Sequence, residues 1–335
     1  MTEWTKEKEK KVLWKYRFVL TTRIVRVLFI ILFLFWVYMM FITIAYQGTN
    51  FANKHSFYTK LSLDWTGEGL ESEFSGFVNG EITPMLSQKI EYPVFRRIGK
   101  ESIPVGEMKI TKRVLTPFSQ RNLEYFVPNE SSRFNFYLPI DPRTGETLYQ
   151  KRHSTVWDAL AKVHEGTVAD MSFSTTRFME PKELMHLLEP FDLDVVWMPL
   201  YAGEMKEFES GHSIAGGSFL SVAGIGLASA RGTDEDYNSE FYSRLGESTI
   251  ESNQEWMMLN MEKLINEESK SYREDFLGLY HLEERYDYIK EHGFKVYGAV
   301  VTGPVKELLK LRDVKEFQSP SLGDFEYWNW VPGEE

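Results

Sequence analysis

The distribution of apolar residues along the chain changes character three times. From Val27 to Tyr46 it has no period, because VLFIILFLFWVYMMFITIAY contains no charge, proline or glycine. Twenty such residues at about 1.5 Å each span roughly 30 Å, the thickness of a bilayer's hydrocarbon core. A transmembrane helix is predicted there. Just upstream, Leu13, Tyr16, Leu20, Ile24 and Val27 fall at helical spacing, with Lys8, Lys11, Lys15 and Arg26 on other faces. This predicts an apolar helical stripe that either continues the span or rests on anionic headgroups. Leu13, Tyr16, Leu20 and Ile24 are its candidate partner-binding residues.

After the span the pattern between Phe51 and Gln150 is short-period and broken by prolines, including Pro84, Pro93, Pro104, Pro117, Pro128, Pro139 and Pro142. It predicts a β-rich segment whose best strands are GEMKITKRVLTP and SSRFNFYLPIDP. From Ser154 the rhythm lengthens. A helix over STVWDALAKVHEG, a strand at VADMSFS, a helix opened by Pro181 in PKELMHLLEP and a strand DVVWMPLY make one β-α-β unit. The order returns in the strand FKVYGAVVTG, the helix PVKELLKL and a closing strand near Val314–Gln318. Two such units predict an α+β domain, ferredoxin-like if their strands interleave. Between them, residues 202–234 are rich in Gly, Ala and Ser and predict a mobile loop or a closely packed hairpin. Ser252-x-x-Glu255 then reads as a capping box, and a second helix through Leu282, Tyr286 and Ile289 stops at Gly293.

Charge gives the span a direction. Residues 1–26 carry eight basic side chains against three acidic ones, while only Lys54 and Lys60 follow the span within fifteen residues. The positive-inside rule therefore predicts a cytoplasmic N-terminus and an extracytoplasmic remainder. The apolar run exceeds the h-region of a signal peptide and is not followed by a clear small-x-small cleavage site, so an uncleaved anchor is expected. The net charge of −11 combines +5 in the tail with −16 beyond it, and this acidic bulk argues against nucleic acid as a direct partner. With no cysteine, neither disulfides nor thiolate metal sites contribute.

Catalytic motifs are weak. Gly211-His212-Ser213-Ile214-Ala215 misses the nucleophile elbow at its fifth position, and Gly224-x-Gly226 lacks the third glycine of a dinucleotide fingerprint. The seven histidines show no H-E-x-x-H spacing, and His281 with Glu284 is the nearest approach to a shared ligand face. No catalytic, cofactor or metal residue is predicted.

The segment GTVADMSFSTTRFMEPKELMHLLEPFDLDVVWMPL resembles the start of the sigma-factor-regulator (anti-sigma-factor) C-terminal domain. Its closing block is similar to YIKEHGFKVYGAVVTGPVKELLKLRDVKEFQSPSLGDFEYW, especially Val296-Tyr297-Gly298, Val301-Thr302-Gly303-Pro304 and Gly323-Asp324. WKYRFVLTTRIVRVLFIILF looks like the accompanying N-terminal segment. The resemblance implies a single-pass bacterial membrane regulator that restrains an extracytoplasmic-function sigma factor and senses the envelope with its exterior domain. The tail is shorter than the helical sigma-binding domain of many anti-sigma factors. Its expected partners are accordingly a sigma factor or a second membrane regulator docked on the apolar face, together with membrane lipid. The expected layout is a tail over 1–26, a span over 27–46, a β-rich segment over 47–150 and the α+β domain over 151–335. The competing expectation is a membrane-tethered envelope enzyme or ligand-binding domain with residues 202–234 as a lid.

Overall fold

The computed structural model of the chain describes residues 6–48, 50–72, 80–113, 119–127, 134–148, 155–215 and 219–330. Tail and span form one element: α1, Lys6–Gln47, is unbroken. At 1.5 Å per residue its length is about 63 Å, enough to cross a bilayer and project beyond it. Among the described residues it is the one helix long and apolar enough to do so. A short turn follows, in which Asn50 takes a left-handed conformation that asparagine tolerates better than most side chains.

The next element adds a helix to the segment expected to be β-rich. Phe51–Thr66 is a second helix, α2, and every residue from His55 to Trp65 is buried. Helix periodicity is read from an apolar stripe facing a polar one. A helix enclosed on all sides from His55 to Trp65, whose polar His55, Thr59, Lys60, Ser62 and Asp64 find partners inside, has no such contrast.

The strands β1 (Leu70–Ser72), β2 (Glu81–Ile82), β3 (Ser87–Ile98), β4 (Glu101–Arg113) and β5 (Gln120–Tyr125) form an antiparallel sheet in the order β1-β3-β4-β5, with β2 also on β3. Pro93 and Pro104 are accommodated within β3 and β4, where the register shifts between Val94 and Phe95. The predicted strand GEMKITKRVLTP is realised as far as Arg113. Its last residues, like Pro117 and Pro128, lie outside the described residues. SSRFNFYLPIDP is a correction, because its described part, residues 134–142, makes only an isolated bridge at Ile140. Its alternating Phe134, Phe136 and Leu138 are buried as expected of a strand, but they cover the face of another sheet instead of extending its edge.

Ser154 and the expected boundary at 150/151 also lie outside the described residues, and α3 is limited to Thr155–Leu160. Where the first unit was expected, the chain forms β6 (Thr167–Met179), α4 (Pro181–Leu188) and β7 (Asp194–Leu200). About half of the described residues in 202–234 are strand: β8 (His212–Ala215) paired with β9 (Phe219–Val222), then β10 (Ile225–Ala228) and β11 (Ala230–Thr233), which pairs with β12 (Glu240–Ser243). Helix α5, Ile250–Glu267, begins before the expected capping box. Thr249 takes the cap position, and Ser252 lies inside the first turns, which allows Ile250 to be buried. Helix α6, Leu282–His292, ends at Gly293 with positive φ, as expected.

The second unit consists of β13 (Val296–Pro304), α7 (Val305–Lys310) and β14 (Phe317–Tyr327), the closing strand beginning later and running further than expected. The strand order is β10-β7-β13-β6-β14, with every neighbouring pair antiparallel. Thus β13 lies between the two strands of the first unit, and β6 between the two of the second. One face of this sheet contributes Met198, Leu200, Ala299 and Val301 to a core shared with α2, α4, α5 and α7. The other packs Val196, Trp197, Tyr297 and Val300 against Phe134, Phe136, Leu138 and Leu220. Gly298 allows this close approach, since a Cβ there would meet the Phe173 carbonyl and the Phe136 ring.

Candidate functional site

The functional geometry begins on α1. Leu13, Tyr16, Leu20 and Ile24 are all exposed on the described helix, so the stripe is presented to solvent, lipid or a partner. Helical pitch places Arg17 and Arg23 beside it. The spacing argument missed Trp14 and Phe18, which stack at 5.9 Å and widen the exposed apolar surface.

At its other end α1 is fastened to the sheet domain. Tyr38 Oη donates to the Pro84 carbonyl at 3.0 Å, and Tyr46 Oη to the Leu86 carbonyl at 3.3 Å. Both acceptors belong to the turn between β2 and β3. A few residues after Tyr46 the chain enters α2, so the span is covalently continuous with the centre of the folded core.

Charge locks α2 in place. The Arg231 side chain, fully enclosed, donates from Nε to Asp64 Oδ2 at 2.8 Å, from Nη1 to Glu240 Oε2 at 3.1 Å and from Nη2 to Ser72 Oγ at 2.9 Å. Lys60 Nζ completes the cluster at 3.2 Å from Glu240. Burial opposes the charge on Arg231, but Asp64 and Glu240 outweigh it and hold the guanidinium protonated above its ordinary range. A second buried pair, Glu204 with Arg285, ties β7's exit loop to α6, and Arg285 also donates to the Ala223 carbonyl at 2.8 Å. None of these partners was visible in the sequence, where Asp64 and Arg231 are far apart.

The side chains examined for chemistry are dispersed. Ser213 lies exposed on β8, its Oγ 2.8 Å from Ser221 Oγ across a hairpin, not at a strand-to-helix turn. Gly226 enters β10, where a Cβ would strike the Trp197 ring, so packing explains that glycine. His281 heads α6 with Nδ1 3.7 Å from Glu284 Oε1. His186, Glu189 and Glu247 bring ligand atoms within 4.8 Å of one another, but all three are exposed, as solvated surface groups commonly are.

Comparison with known proteins gives this geometry a family. The sigma factor regulator N-terminal model matches residues 10–103, and the sigma factor regulator C-terminal model matches residues 160–324. The chain belongs to the sigma-factor-regulator family. It is 22% identical over 252 residues to the probable anti-sigma-M factor YhdL of Bacillus subtilis, an alignment covering 73% of this chain and 62% of that relative. The chain thus spans less than two thirds of the relative's length. No solved structure matches it.

The two matched segments of this sigma-factor regulator meet at its ionic clusters. Asp64 belongs to the first and Arg231 to the second; Arg96 belongs to the first, while Asp170 and Asp324 belong to the second. Arg96 Nη1 is 3.1 Å from Asp324 Oδ2 and its Nε 3.8 Å from Asp170 Oδ2, while the Asp324 amide donates to Asp170 Oδ1 at 2.6 Å. Gly323 leaves room for this carboxyl, which a Cβ would displace. The blocks quoted around Asp170 and Gly323-Asp324 are therefore neighbours in space.

Burial pushes the Asp170 carboxyl up to about 6, although Arg96 and the Asp324 amide act in the other direction. A folded value above the unfolded 3.8 means a stability contribution that is complete below 3.8 and lost as pH rises through 6. Between pH 7 and pH 4 the native protein should gain about 2 kcal/mol of unfolding free energy relative to Asp170→Asn. Urea unfolding of both proteins at the two pH values measures this; parallel pH profiles would show that Asp170 is not the titrating group.

Proposed function

We propose that this protein is a single-pass membrane regulator of an extracytoplasmic-function sigma factor, with its N-terminus in the cytoplasm and its sheet domain outside. The two family models, matched in chain order with the first of them covering the span, carry this reading. The basic residues of the tail support the orientation through the positive-inside rule. The interleaved order β14-β6-β13-β7 supports a ferredoxin-like description of the α+β domain, with β10 added at its edge.

The regulator acts by contact, without catalysis. Its tail offers Leu13, Tyr16, Leu20 and Ile24 as helical anchors for an apolar groove on a sigma factor or on a second membrane regulator, and Arg17 and Arg23 suit an acidic rim on that groove. Membrane lipid surrounds the middle of α1. The competing lid over residues 202–234 receives less support, because much of that segment is committed to strand pairing, including β10 in the main sheet.

The test joins residues 1–26 to a soluble carrier and measures sigma-factor capture, beside envelope-stress transcription in a strain lacking the full gene. Capture together with altered transcription is expected. Absence of both would overturn the proposal.

A further inference from the structure

Directly beyond the membrane end of α1 lies a cavity of about 590 Å³, between Tyr46, α2, the β3–β4 sheet and the π-helical turn Tyr272–Phe276. Its lining combines aromatic surface with polar atoms that have nothing to bind. The His55 ring is only 4% exposed. Its Nδ1 is 2.7 Å from Tyr272 Oη, and its Nε2 has no hydrogen-bond partner among the described residues.

With the Tyr272 phenol assigned as the donor to Nδ1, the imidazole proton lies on Nε2. Burial, followed by the Lys112 and Lys54 charges, lowers His55 to about 3, so the ring is neutral. An N–H donor buried without an acceptor is costly, and its occurrence in a cavity wall calls for a ligand atom there.

The other groups agree in kind. Lys112 Nζ sits 4.7 Å from the Tyr272 ring centre and 4.9 Å from that of Phe276, and makes no ion pair among the described residues. The neighbouring Glu268 is engaged by Lys54 at 2.8 Å, and Asp275 accepts from Ser271 Oγ at 2.7 Å. Ser119 Oγ is also buried and has no partner among the described residues. Donors from His55, Lys112 and Ser119 around one space suit an anion with several oxygens, while Gln88 Oε1, buried and unpartnered, adds an acceptor for a hydroxyl.

We infer that this cavity binds a phosphate-type oxyanion head whose apolar tail remains in the outer leaflet, making it a lipid-headgroup site at the base of the exterior domain. The location favours the lipid: Tyr46 closes the apolar span and Phe51, 41% exposed, opens α2, so the cavity adjoins the end of the span. His55 Nε2–H and the Lys112 ammonium hold the phosphate oxygens, and Phe51 lies beside the first carbons of the chain. The inference rests on the membrane placement of the regulator and gives its exterior domain a ligand.

Native mass spectrometry of the full chain released from non-ionic detergent micelles tests it, with dioleoyl phosphatidate and dioleoyl phosphatidylcholine as probes. One saturable phosphatidate adduct is expected, weakened at least tenfold by Lys112→Met and unchanged by Lys89→Met on the exposed side of β3. His55→Phe should abolish the adduct; because it alters a buried position, the partly exposed Lys112 carries the test. Millimolar inorganic phosphate that displaces the lipid would support the oxyanion site with free phosphate as a second source, and failure to displace it would support the lipid alone. Equal binding of both lipids, or phosphatidate binding indifferent to Lys112→Met as the basic tail alone would produce, would overturn the inference. Either result leaves capture by the tail unaffected, so the two readings fail separately.

Discussion

Arg231→Met is expected to unfold the sheet domain or bring it close to unfolding. Methionine approximates the arginine stem but provides none of the charge that Asp64 and Glu240 face at 2.8 and 3.1 Å. Removing one partner from a buried ionic cluster costs about 3–5 kcal/mol, because the remaining charges are left desolvated and uncompensated. Against the roughly 5–15 kcal/mol that stabilises a typical domain, this is a large share. Lys60→Met should cost less, since Glu240 keeps Arg231 as a partner. Urea midpoints of the full chain in micelles measure both. A loss below about 1 kcal/mol for Arg231→Met would mean that water or a rearranged lysine neutralises the site, at variance with its complete burial.

The second large effect concerns the tail. Leu13→Glu combined with Leu20→Glu removes two exposed anchors of the stripe and replaces them with charge. A leucine fully buried at an interface contributes about 1.5–3 kcal/mol, so the pair should lower sigma-factor affinity by at least about a hundredfold. Lys11→Gln, on another face, should change it by less than about tenfold. Fluorescence titration of a sigma factor with carrier-fused residues 1–26 separates these outcomes. If the Lys11 variant proved the weaker binder, attraction by the basic tail would be the mechanism and the apolar stripe incidental.

What the sequence made legible follows from local signals. Pro181 and Gly293 marked the start of α4 and the end of α6, and the apolar runs of β7 and β13 could be placed because fully buried strands need near-continuous hydrophobicity. Helix α2 was hidden because its polar residues are satisfied by partners distant in sequence: Asp64 by Arg231, Lys60 by Glu240, His55 by Tyr272. Residues 134–138 misled for the opposite reason. Their alternation is the signature of one buried side, and it does not specify whether the backbone pairs in a sheet or lies across one. The apolar stripe on α1 is readable from spacing alone, whereas the donors around the cavity come from α2, β4 and the residue before β5 and acquire meaning only when the fold assembles them.

The two tyrosine hydrogen bonds from α1 to the β2–β3 turn have a geometric effect beyond their strength. Placed about two helical turns apart on one helix, they remove the freedom of the domain to swivel about the span's axis. The compass bearing of Leu13, Tyr16, Leu20 and Ile24 beneath the bilayer is then set by the bearing of the sheets above it, through a helix with no break. Two copies whose sheet domains were brought face to face would present a defined pair of tail faces at the other end of the span, so an event at the sheet domain can be transmitted as an angle with no movement along the helix axis.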